Sequence, residues 1–110
     1  MFQRKMAFAG SWYPAHPGRC EARIREWLER PLPGGAVPSR LGVVPHAGWT
    51  FSGALAARVF QALPAGPEVE LAIVMGGHLR AGDPVVAMTE GSWGTPFGSL
   101  PIFGGLRGAL

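Results

Sequence analysis

The sequence has one cysteine, Cys20, so no internal disulfide can form and a reducing compartment is the expected setting. No apolar run approaches the roughly 20 residues that a membrane-spanning helix requires. The apolar stretch Met6–Gly10 is too short for a secretory signal and runs straight into Ser11-Trp12-Tyr13-Pro14. These absences predict a cytoplasmic protein with no membrane partner. Lysine is nearly missing as well, because nine of the ten basic residues are arginine. The arginines are scattered from Arg4 to Arg107, without the dense patch and interleaved aromatics of a nucleic-acid binder. No Gly-x-Gly-x-x-Gly or Walker pattern opens a helix, which argues against a nucleotide site. There is no internal repeat and no domain linker.

The residues present describe a folded chain. Hydrophobic residues make up 47% of its 110 residues and charged residues 15%, which excludes a disordered polyelectrolyte. That length suits one domain rather than two. Seventeen glycines and eleven prolines require many turns and close backbone crossings.

Residues 1–15 read as an extended lead-in ending at Tyr13-Pro14. Arg19 to Arg30 reads as a helix with Cys20, Ile24, Trp27 and Leu28 on one face. Glu21–Arg25 and Glu26–Arg30 form i,i+4 pairs on its solvated side. Leu41–Val44, Leu71–Met75 and Val85–Met88 read as strands. The second is a continuous apolar run, as expected where both sheet faces are covered. Ser52 is the expected N-cap of a helix running to Leu63, with Leu55, Val59 and Leu63, together with Ala56 and Phe60, facing the core. The tail from Glu90 is Gly-rich, with a short helix near Gly105.

The order strand–helix–strand places His46 and His78 just beyond the ends of two strands that a right-handed crossover sets side by side. Ligands of α/β proteins gather at that end of the sheet. Adjacent strands lie about 4.8 Å apart, so the two imidazoles can converge on one ion at about 2.1 Å each. The alternatives are a loop-stabilising role for His46 and an exposed turn residue at His78. Asp83 and Glu90 are the nearby acids that would complete a two-histidine, one-carboxylate set, and surface roles are preferred for both. Cys20 reads as a small buried hydrophobe, and His16 as a solvated turn residue. Trp12 and Trp49 flank the histidines as either pocket walls or loop packing.

Four segments occur in order: Ala9-Gly10-Ser11-Trp12-Tyr13-Pro14, Pro45-His46-Ala47-Gly48-Trp49-Thr50-Phe51-Ser52-Gly53, Ile73-Val74-Met75-Gly76-Gly77-His78, and Trp93-Gly94-Thr95-Pro96-Phe97-Gly98. Together they resemble the Memo family, called protein B of the AmmeMemoRadiSam system in bacteria and archaea. The resemblance implies the α/β fold of the class III extradiol dioxygenases (the LigB-like superfamily), with a mainly parallel sheet and flanking helices. It implies that His46 and His78 are metal ligands and that Trp12 and Phe51 line the pocket, beside Trp49, whose place there is read from its loop position. Fe(II) is the metal it favours, with Cu and Zn as alternatives. Some family members carry tyrosine at the Phe51 position, and the segment before His78 is one residue shorter than usual.

Family chains are more than twice this length, and their third ligand lies in sequence that residues 1–110 do not match. The expectation is therefore one partial Memo-like domain, the N-terminal half of the family fold. Its role reads as a two-histidine metal-site scaffold that is not a complete catalyst by itself. The alternatives are a non-enzymatic interaction module and one half of a split dioxygenase-like enzyme. The expected partners are a second copy, a second polypeptide that supplies the missing half, or other AmmeMemoRadiSam proteins.

Overall fold

The computed structural model describes residues 1–34, 37–64 and 66–108. Among these residues, two helices and a three-stranded sheet carry the regular structure. In chain order these are β1 (Gln3–Arg4), α1 (Pro17–Leu28), α2 (Trp49–Ala62), β2 (Ser92–Thr95) and β3 (Gly98–Pro101), with 3-10 turns at Gly66–Glu68 and Gly104–Leu106. The sheet order is β1-β2-β3. β1 runs parallel to β2, and β2 and β3 are antiparallel, so this α/β sheet is mixed rather than mainly parallel.

Both predicted helices form, each starting earlier than the sequence pattern suggested. Pro17 occupies the first turn of α1, where its missing N–H costs nothing. His16 caps that turn by accepting a hydrogen bond from the Gly18 N–H at Nδ1, 3.1 Å. Gly48, not Ser52, is the N-cap of α2. Ser52 lies inside the helix and donates from Oγ to the Ala47 carbonyl, 3.3 Å. Of the two i,i+4 ion pairs expected on α1, Glu21–Arg25 forms at 2.7 Å. Glu26 pairs instead with Arg23, at 2.9 Å.

The helices meet through a large residue set into a small one. Trp27 is buried, and a Cβ at Gly53 would collide with its indole ring. Gly53 and Ala57, one turn apart, are the buried positions of α2, so its contact face is the small-residue stripe. Leu55 and Phe60, expected in the core, are exposed. The indole decides this, because its bulk needs a partner surface without side chains. The end of α2 also serves the end of α1. Gln61 Nε2 donates to the Leu28 and Arg30 carbonyls at 3.0 and 2.9 Å, and Arg58 Nη1 donates to the Arg30 and Pro31 carbonyls. These carbonyls lack partners within α1.

The three runs expected as strands do not form strands among the described residues. No backbone hydrogen bond joins residues 42–46 or 71–78 to any described backbone. Their side chains stay in water: Val43 is 92% exposed, Ile73 72% and Val85 86%. Strand residues hold their conformation through ladder bonds and cover on each buried face. Among the described residues no ladder bonds join these runs, and cover reaches little beyond Gly42, which lies against Val59 and Leu63 at the end of α2. The sheet forms instead from the N-terminus and the Gly-rich tail. Thr95 fixes the two-residue turn between β2 and β3 by donating from Oγ1 to the Gly98 carbonyl, 2.8 Å, and accepting from the Phe97 N–H, 3.2 Å.

Candidate functional site

His46 lies in the loop entering α2, and His78 follows a run that carries no regular structure. Although 32 positions apart in sequence, their rings are 5.0 Å apart between centroids and nearly perpendicular, at 87°. Both are exposed. The loop of His46 is tied to the N-terminal segment, because the Trp49 N–H donates to the Trp12 carbonyl at 2.8 Å. This bond joins the Trp12 segment to the first residue of α2, three positions after His46.

The aromatic residues around this junction take different positions. Trp49 packs edge-on against Trp27, with ring centroids 5.3 Å apart, and lies 5.9 Å from Tyr13. Trp12 stacks on Phe8 at 4.8 Å and remains 44% exposed. Trp12 and Trp49 both line an open cavity of about 620 Å³ between the Gly10–Ala15 segment and α1. Phe51 is 87% exposed and lines neither this cavity nor a smaller one of about 260 Å³ under Tyr13, Trp49 and Trp93. The two histidines also lie outside both cavities.

The other candidate ligands are engaged elsewhere. Asp83 closes its own turn, accepting from the Arg80 N–H at 2.7 Å and returning its N–H to the Arg80 carbonyl. Glu90 pairs with Arg107 at 3.1 Å. Cys20 is fully buried, and its thiol donates to the Pro14 carbonyl at 2.9 Å. Burial pushes that thiol above its ordinary value, which suits a packing role. Among the described residues no group of three or more His, Cys, Asp or Glu side chains could hold a metal. Among the described residues, the structure therefore brings together two imidazoles without a third such donor.

Sequence reasoning missed two structural roles near the site. One is His16 as the cap of α1, signalled by the following Pro-Gly. The other is the Thr95-Pro96-Phe97-Gly98 hairpin, where Gly98 takes a φ of +121° that other residues disfavour. Trp93 of β2 carries the Arg4 guanidinium over its ring at 4.5 Å, so the hairpin also fastens the N-terminal strand.

The Memo-like protein family matches residues 4–108. A MEMO1 family protein of Methanopyrus kandleri is 36% identical over 91% of this chain and 38% of its own length. A second, from Thermococcus onnurineus, is 34% identical over 90% of the chain and 34% of its own length. A third, from Pyrobaculum arsenaticum, is 35% identical over 94% of the chain and 40% of its own length. The chain thus spans about two-fifths or less of these relatives. No solved structure matches it. The matched segment holds the Trp12 segment, both histidines and the hairpin, and on that match the chain belongs to the Memo-like protein family.

Proposed function

We propose that His46 and His78 are the two-histidine half of a transition-metal centre, completed by a donor from outside residues 1–110. The observation that carries this reading is the 5.0 Å separation of the two rings. Two imidazoles bound to one ion at about 2.1 Å, with a bond angle of about 90–110°, have ring centres about 4.5–5.2 Å apart. The donor chemistry fits as well, since imidazole suits Fe, Cu and Zn. A bound ion would supply a Lewis-acidic or redox-active centre with open positions. The chain itself contributes the approach of the rings. The Trp12–Trp49 backbone bond fixes the loop of His46, and exposure of both rings leaves them reachable. A dioxygenase-like fold for the complete family chain and a cytoplasmic setting belong to this same reading.

Titration with Co(II) and Zn(II) tests it. Two neutral donors alone hold an ion weakly and select poorly among metals. The expected result is reversible binding that dialysis removes, weakened at least tenfold by His46→Ala or His78→Ala and unchanged by His16→Ala. Binding that survives both substitutions would overturn the assignment. Stoichiometric metal retained after dialysis would show that the chain holds a third donor of its own.

A second reading, an interaction module without metal, draws support from the exposed apolar runs that precede both histidines. The double substitution His46→Ala with His78→Ala separates the two readings. A module keeps its partner when the metal is lost.

A further inference from the structure

We infer that the groove between the Gly10–Ala15 segment and α1 binds a small aromatic carboxylate. Its volume, about 620 Å³, falls within the roughly 300–1,000 Å³ of small-ligand pockets. Neither His46 nor His78 lines it, so the inference stands apart from the metal reading.

The charge of the lining calls for an anion. Arg19 and Arg23 both border the groove, and their i,i+4 spacing sets them on one face of α1. Among the described residues, none that line the groove is acidic. His16, the N-cap of α1, and Trp49 and Thr50, the first residues of α2, also border it. The first turn of neither helix carries an acid, so the positive ends of both helices add to the guanidinium charge.

The neighbouring ion pairs decide how much negative charge fits. Arg23 is held by Glu26 at 2.9 Å, and its guanidinium lies over the Trp27 ring at 5.2 Å. Arg19 takes part in no ion pair among the described residues. A single guanidinium is thus left without a counter-charge, which a monoanion balances and a phosphate dianion exceeds. The planar fork of Arg19 matches a carboxylate through two parallel N–H donors. His16 offers another donor. Its Nδ1 accepts from the Gly18 N–H, which leaves the proton of the neutral ring on Nε2.

The indoles of Trp12 and Trp49 select the body of the ligand. Trp12 is braced by Phe8 and Trp49 by Trp27 and Tyr13, so both rings are positioned before any ligand arrives. Trp12 nevertheless remains 44% exposed. A planar ring covers such a surface by offset or edge-on packing, whereas an inorganic anion leaves it wet.

Calorimetric titration of residues 1–110 with 2-naphthoate tests the site, with 2-naphthamide as the uncharged counterpart and inorganic phosphate as the anion without a ring. The expected result is one naphthoate per chain, naphthamide bound at least tenfold more weakly, and no phosphate binding. Arg19→Gln should weaken naphthoate at least tenfold. Arg25→Gln, which removes the same charge from a position outside the groove, should change it less than twofold, as should His46→Ala with His78→Ala. In the NMR spectrum the indole N–H signals of Trp12 and Trp49 should shift on binding, and that of Trp93 should not. Equal affinity for naphthoate and naphthamide, equal losses in Arg19→Gln and Arg25→Gln, phosphate binding as tight as naphthoate, or no saturable binding would each overturn the inference. Loss of naphthoate binding in the double histidine variant alone would move the ligand to the histidine pair and overturn it as well.

Discussion

A methyl group at Gly53 would sit 2.7 Å from Cζ2 of Trp27 and 2.9 Å from Cζ3, closer than a rigid ring tolerates. Gly53→Ala gains about 1 kcal/mol of helix propensity but must push α1 and α2 apart. Overpacking of this kind costs about 1–3 kcal/mol, so the expected outcome is a net loss of stability, read as a lower thermal midpoint. Cys20 gives a pH-dependent prediction. Its thiol is raised above 9.0 in the folded chain by burial, so ionisation favours the unfolded state. The contribution is therefore constant below about 9 and falls as the pH rises through the folded value. Chemical denaturation at pH 7, 9 and 10 should show the decline, and Cys20→Ala should flatten it. The phase of Cys20 and Trp27 on one helix face was readable from the sequence. That Gly53 is the counterpart of Trp27 was not, because a glycine carries no hydrophobic signal of its own. The approach of His46 and His78 followed from expected strands, yet the rings meet without those strands forming.

At the scale of elements, α1 and α2 were legible because a period of 3.6 and flanking prolines are local signals. Their starts were displaced by capping through His16 and Gly48, neither of which is among the strongest side-chain caps. His16→Ala should cost about 1 kcal/mol and fray the first turn of α1, seen as faster exchange of the Gly18 and Arg19 amides. The hairpin of β2 and β3 was illegible for the opposite reason. Its residues are rich in glycine and poor in β-branched side chains, and its register depends on one hydroxyl. Thr95→Val keeps the shape of that side chain and removes both turn bonds. The expected loss is about 1–2 kcal/mol, with faster amide exchange from Trp93 to Leu100 and no change in α1. Uniform loosening of the whole chain would show that the hairpin is not an independent unit. The apolar runs at 41–44 and 71–75 have strand composition, but composition fixes no pairing. Ladder partners are non-local, and among the described residues none pairs with these runs.

The molecule as a whole is less buried than its composition would allow. With 47% hydrophobic residues, the buried hydrophobic core nevertheless reduces to Cys20, Trp27 and Ala57 among the described residues. Unfolding exposes less new surface than it would from a compact chain. An unfolded chain of this mass presents about 16,800 Å²; from the observed 9255 Å² the gain is about two-thirds of that available to a well-packed monomer. The denaturant slope scales with that gain. Urea unfolding of residues 1–110 should therefore give a slope about two-thirds of that typical for its length, together with strong binding of an apolar dye before the transition. A full-sized slope with no dye binding would mean that the chain buries its valine and isoleucine runs by itself.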